Sequence, residues 1–452
     1  MKTFAFIILI FLLIPCSAGG TELVNLALNK HYTYDPAPTY KLCTDELDGK
    51  QLTDGIRAGS SWGNTSTVGW QGVNTPVDIV IDLDRTSQIN EVRVYTIGGG
   101  RAGVRMPKRV PIFVSTDNRR WELVGVAVEM APTKLNQDGY SKSPITFGAA
   151  TGGKHGRFVK LLVEVDGPYL FIDEIEVLGT AAGIASDTPT HTLQDAELKN
   201  VFIDLDKHEE FQDAIAITES FVKKSEFSDE FKTKNLAAIK YIKSTLLKMN
   251  GQDVSLKDLE ALHGKVRAQI YKEFYKADFV CIPADPYVTL LKKTLVLQSF
   301  SQTPAINIRL WQGEHEAAAV NCINCTENDI EFTAFFGPLI SADGNSVANQ
   351  NTFTLRRGVY VSAKKIGPIV DALVLQGQRP TQIQPGEVIQ LWIDIYNPTL
   401  SAGTYTSELQ LVGKEKGTLA TIPIIITVEP LTMPAATGLN TYVWAYLWNE
   451  RP

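Results

Sequence analysis

Along residues 77–94 the apolar side chains of Val77, Ile79, Ile81 and Leu83 alternate with Asp78, Val80 and Asp82. A period of two marks a strand that buries one face, and it predicts that a β-sandwich domain starts here. Residues 180–192, TAAGIASDTPTHT, are small, polar and interrupted by Pro189, as in a linker. Beyond them the period changes to near 3.6. Phe211, Ile215 and Val222 mark a first helix, and Leu236, Ile239, Ile242, Leu246 and Met249 a second. Leu256, Leu259, Leu262, Val266, Ile270 and Phe274 mark a third, opened by Ser255 and Asp258 in capping-box spacing and set off by Gly251. These helices are expected to form a small bundle or a brace between sandwich domains. His208 and His263 stand alone in them and read as surface or capping residues. From about residue 285 the period returns to two, most plainly in IPIIITV at 422–428.

A chain of 452 residues is too long for one ordinary core, and its length suggests about three domains. With 44% hydrophobic and 21% charged residues it reads as globular and not disordered. A net charge of −7 argues against a nucleic-acid partner. Residues 1–20 carry Lys2, an apolar run over 4–14 and the small residues Ser17, Ala18 and Gly19, the pattern of a secretory signal peptide. The run is shorter than the roughly 20 residues that span a bilayer, and no later run is that long, so no transmembrane segment is expected. The chain is expected to be secreted, or periplasmic or cell-surface. Lipidation at Cys16 is the alternative, with Pro15 an awkward cleavage context.

Without Cys16 the chain keeps Cys43, Cys281, Cys322 and Cys325, an even count suited to an oxidising compartment. Cys322 and Cys325 form a CxxC, but no second CxxC, His pair or thioredoxin-like helix accompanies them. Residues three apart on a strand point to opposite faces, so these thiols are expected to be small buried residues or to pair elsewhere. Asn64-Thr65-Ser66 and Asn324-Cys325-Thr326 fit the glycosylation sequon.

The order NLALNK, LTDG, Trp, VDIVIDL, VRVY, GVRMP, FVSTDNRRW and DEIEVLG resembles the discoidin family, the coagulation factor 5/8 type C fold, over residues 21–180. The resemblance implies a carbohydrate-binding β-sandwich whose ligand sits on loops at one end. Sugar binding needs an aromatic ring against a pyranose face and polar groups that replace water on its hydroxyls. Trp62, Trp70, Arg101, Arg105 and Tyr169 have the right types on loops by this reading. Trp70 packing under the sandwich and a merely solvated Arg105 are the alternatives, and Trp121 reads as core. The resemblance also implies a structural calcium, held by carboxylates and backbone carbonyls. Asp54 in LTDG and Glu174 in FIDEIEV occupy matching positions, while IRAGSS replaces the family's usual second Asp and Thr.

Residues 391–413, LWIDIYNPTLSAGTYTSELQLVG, resemble the immunoglobulin-like sandwich that precedes the catalytic barrel of secreted glycoside-hydrolase-like proteins. The matching positions are Trp392, Asp394, Tyr396, Pro398, Ala402, Gly403 and Tyr405, and residues 310–324 resemble that domain's first strands. Residues 439–448, LNTYVWAYLW, then stand where the first strand of a (β/α)8 barrel would begin. A barrel needs about 250 residues, and glycoside hydrolysis usually needs two carboxylates about 5–9 Å apart. Glu450 has no partner strand to supply the second, and no catalytic residue is assigned.

The expected architecture is multidomain and mainly β. Its parts are a signal peptide (1–20), a discoidin-like sandwich (21–180), a linker and helical connector (181–284), an immunoglobulin-like sandwich (285–434) and the first strand of a truncated barrel (435–452). The expected function is glycan recognition by a secreted protein, its partner a polysaccharide or glycoconjugate, with no complete catalytic site in the chain as given. The amino-terminal portion of a glycoside-hydrolase-like enzyme is one alternative. Adhesion to protein or lipid head groups is another.

Overall fold

The alternation read at residue 77 becomes a long strand, Val77–Thr96, in which Val77, Ile79, Ile81 and Leu83 are buried. The computed structural model describes residues 23–57, 65–99, 103–130, 145–180, 192–246, 256–299, 304–347, 352–363, 367–376, 379–415 and 417–433. The expected leader, Trp62, Arg101, Asn64, Ser255, Met249 and the expected barrel strand at 435–452 lie outside the described residues.

Val77–Thr96 organises the first unit because its two halves have different neighbours. The first half pairs antiparallel with Tyr32–Asp35 and with the end of Ile145–Val163, Val77 facing Val163. After a register shift between Asp82 and Ser87, the second half pairs with the start of Ile145–Val163 and with Tyr169–Thr180. Asp84, in the shift, adopts φ 67 and is held by the Lys30 ammonium at 2.7 Å. One strand thereby serves two stretches of sheet around a core of Trp70, Ile79, Ile81, Ile112, Leu161 and Ile175. Trp121 is fully buried, as expected of a core residue.

The chain divides into two compact units, Met1–Val201 and Phe202–Pro452. The helices α1 (Val201–Lys224), α2 (Asp229–Leu246) and α3 (Leu256–Tyr275) therefore fall with the second sandwich and do not form a separate connector. Their apolar stripes meet as the periodicity predicts, Phe211, Ile215 and Val222 packing with Ile239, Ile242, Leu246, Leu259, Val266 and Ile270. His263 is buried in that cluster, its Nε2 2.9 Å from the Thr218 hydroxyl. Burial and the Arg267 charge push its imidazole down to about 3, so it stays neutral. A histidine expected at the surface is thus a core residue.

Among the described residues the second sandwich has a five-stranded and a seven-stranded sheet. It begins before residue 285, since Phe279–Ala284 pairs along its length with His315–Asn324. Leu355, Leu391, Ile393 and Ile395 from one sheet meet Leu409, Leu411, Ile424 and Ile426 from the other. Val388–Tyr396 is buried on both faces over its first four residues and alternates from Leu391 on, leaving Trp392, Asp394 and Tyr396 less buried than Ile393 and Ile395. Asp394 accepts from the Trp392 indole at 2.8 Å and from the Arg356 guanidinium at 2.5 Å. Tyr405 closes the following turn by donating to the Ser401 carbonyl at 2.9 Å.

Candidate functional site

Several loops of the first unit meet at one place. Gly72 N–H donates to the Pro168 carbonyl at 2.8 Å, Thr39 Oγ1 to the Gln71 carbonyl at 3.1 Å, and Gly99 N–H to the Val104 carbonyl at 2.7 Å. Val104 forms a bridge with Tyr169. Two of the expected ligand residues, Arg105 and Tyr169, are thus brought together. Arg105 pairs with Asp166 at 3.2 Å, both side chains about half exposed at 56% and 49%. Tyr169 is half-buried, with its ring 5.8 Å from Tyr40 edge-on and 6.3 Å from Phe171 nearly parallel. The Arg105 guanidinium is a hydrogen-bonding fork one residue along the chain from the position that bridges Tyr169.

Trp70 does not join them. It has no exposed surface, lies opposite Leu170 in the strand Val68–Gln71, and donates its indole N–H to the Pro36 carbonyl at 2.8 Å. A ring with no free face cannot stack on a sugar, so Trp70 is a core residue. Tyr40 and Asp166 were not singled out from the sequence. Tyr40 meets Tyr169, and Asp166 meets Arg105, across long stretches of chain, and nothing local signals either meeting.

The second set of expected residues is an acidic cluster. Glu174, on Tyr169–Thr180, is 1% exposed and accepts through Oε1 from Gly55 N–H at 3.2 Å, while its Oε2 has no hydrogen-bond partner. Burial, with the charges of Asp54, Glu176 and Asp173, pushes its carboxyl up to about 8, against the opposing Gly55 hydrogen bond. Asp54 turns its Oδ1 to Ile56 N–H at 2.7 Å. On adjoining segments Asp48 Oδ1, Gln51 Oε1 and Thr67 Oγ1 are also buried without partners, and burial raises the Asp48 carboxyl to about 6. Arg57, the first charged residue of the departing IRAGSS stretch, bonds Glu176 and the Tyr95 hydroxyl, each at 2.6 Å.

Among the described residues no three His, Cys, Asp or Glu side chains gather as a metal group. Calcium also takes neutral oxygens from amides, hydroxyls and carbonyls. The unpartnered Glu174 oxygen, with Asp54 close enough to raise its proton affinity, therefore fits one end of a hard-cation site.

In the second unit Cys322 lies in the core between the sheets, and Cys325 in a different cluster with Tyr271 and Ile323. Cys325 borders a surface cavity of about 350 Å³ with Lys272, Asp278 and Glu327. Burial pushes its thiol up to about 12, which leaves it a poor nucleophile. Asn324 is fully buried and donates both amide hydrogens, to the Asn328 and Ile383 carbonyls at 2.7 and 3.0 Å. In the folded chain this sequon is closed.

No family model matches the sequence, and no curated protein does. Solved structures give partial likenesses. A family 123 glycoside hydrolase from Clostridium perfringens matches at 15% identity and a TM-score of 0.29, over 34% of this chain and 28% of that one. The lectin domain of lectinolysin, complexed with Lewis b antigen, matches at 17% identity and 0.26, over 36% of this chain and 100% of that one. A fucose-binding module from Streptococcus pneumoniae matches at 19% identity and 0.24, over 35% of this chain and 100% of that one. The chain thus spans little more than a quarter of the hydrolase. At these scores the likenesses carry no argument about what this chain binds.

Proposed function

We propose that residues 23–180 are a glycan-binding module of discoidin type and that the loops carrying Arg105 and Tyr169 receive the sugar. The observation that carries this reading is their meeting. A partly buried aromatic residue and an exposed Arg105–Asp166 pair stand on the same set of loops. That combination suits a ligand with an apolar ring face and a rim of hydroxyls. Asp54 and Glu174 would hold a calcium ion that braces the loops and takes no part in chemistry. The leader-like residues 1–20 support a place outside the cytoplasm. Trp62 and Arg101 remain candidates by residue type alone.

The test is retention of the purified chain on immobilised galactose- and glucose-type polysaccharides and on a glycan array. Specific retention is expected, with Arg105→Ala and Tyr169→Ala each weakening it about tenfold, the loss of one good polar or aromatic contact. Absence of retention on any glycan, by a chain shown to be folded, overturns the reading.

A further inference from the structure

We infer that Cys281 and Cys322, among the described cysteines, form a disulfide, a covalent staple between the first strand of the second sandwich and the strand beside it. Phe279–Ala284 runs antiparallel to His315–Asn324, with Cys281 directly opposite Cys322. Residues opposed in this way have Cα atoms about 4.5–5.5 Å apart, within the roughly 4.4–6.8 Å that a disulfide spans. Both side chains point into the core between the sheets, and their sulfurs stand 3.4 Å apart. No strand has to shift for the bond to form.

The other described thiols are excluded by position. Cys325 belongs to the cluster around Tyr271 and Ile323, on the far side of the strand from Cys322. Cys43 is buried in the first unit against Ile97, Val104 and Phe171. The CxxC spacing, the most conspicuous cysteine signal in the sequence, therefore points to the wrong pair.

Burial raises the Cys281 thiol well above its ordinary range, so in the folded chain Cys281 holds little thiolate and reacts slowly. The bond is made while the strands are still accessible, by exchange with a small-molecule disulfide such as oxidised glutathione. Cys281 thiolate attacks it and releases one glutathione thiolate, and Cys322 thiolate then displaces the second. Two S–H bonds are lost and one S–S bond forms. The two protons and two electrons leave as two reduced glutathione molecules. The closed loop joins positions 41 residues apart and contains the strand Ile306–Gln312, so it restrains a long unfolded segment.

The experiment refolds the full chain from denaturant in a glutathione redox buffer, alkylates free thiols under denaturing conditions, and maps the digest by mass spectrometry. A linked Cys281–Cys322 peptide is expected, with Cys43 and Cys325 alkylated, and a melting temperature several degrees above that of the reduced chain. Cys325→Ser, a change inside the Tyr271 cluster, should leave the Cys281–Cys322 link in place, and Cys281→Ser should leave Cys322 alkylated. Full alkylation of Cys281 and Cys322 in the refolded chain, or a Cys322–Cys325 link, overturns the assignment. Because the readout is a mapped bond in the second unit, it is independent of whether the first unit binds glycan.

Discussion

Glu174 is a buried acid whose second oxygen meets no donor, and its protonation should be readable in stability. Its carboxyl, near 8 when folded, binds a proton more tightly than in the unfolded chain, where it titrates in the usual carboxylate range. Between those values the folded state holds more protons, so its contribution to stability falls as pH rises through the window. Without added cation, the melting transition of the first unit should move down between about pH 5 and pH 8; Glu174→Gln should flatten that slope. Calcium reverses the sign, since it favours the ionised carboxyl. Chelation should lower the melting temperature more at pH 8 than at pH 5, and an unchanged melt at both would remove Asp54 and Glu174 as ligands. Trp70 and Arg105 separate on the same scale. Trp70→Ala should cost about 3–5 kcal/mol in denaturant unfolding, whereas exposed Arg105→Ala should fall within about 0.5 kcal/mol of wild type. From the sequence both were loop residues of suitable type. What divides them is pairing of Val68–Gln71 with a strand a hundred residues later, which no local pattern encodes.

At the scale of elements, periodicity was informative wherever one face is buried and the other wet. The Val77 strand and all three helical stripes were legible for that reason. Less legible was where the helices belong, because that depends on contacts between turns and not on stripes. One such contact is close. Gly386, at φ +64, approaches α3 so that an added Cβ would lie 2.2 Å from the Gly264 carbonyl and 2.7 Å from Ala268 N. A Cβ on Gly264 would in turn meet the Pro385 carbonyl at 2.6 Å. Neither backbone can move without separating α3 from the turn that leads into Val388–Tyr396. Gly386→Ala combines a left-handed backbone with this clash and should destabilise the second unit by about 2 kcal/mol or more. A denaturation midpoint equal to wild type would mean that the turn and helix are not packed this closely in solution.

For the whole molecule, the boundary that the sequence placed at 284/285 falls inside the compact unit Phe202–Pro452. The composition break at 180–192 precedes the split between Val201 and Phe202. The return to period two after residue 285 marks no such split, because Phe279–Ala284 is too short to establish a period before the loop that follows it. That strand supplies Cys281 and Phe279 to the core between the sheets, and α3 places Tyr271 against Ile282, Ile323 and Val388 with no exposed surface. Arg267 ties the same helix to the Lys292 and Thr294 carbonyls at 3.0 and 3.1 Å. Removing the helices and this strand would expose the edge of His315–Asn324 as a template for pairing with other chains and uncover a large aromatic core residue, against a net domain stability of only about 5–15 kcal/mol. A fragment of residues 202–433 should therefore unfold in one cooperative transition, and a fragment of 285–433 should be insoluble or lack a sharp transition. A cooperative melt from the shorter fragment would show that the sandwich stands without its helices and would restore the connector reading.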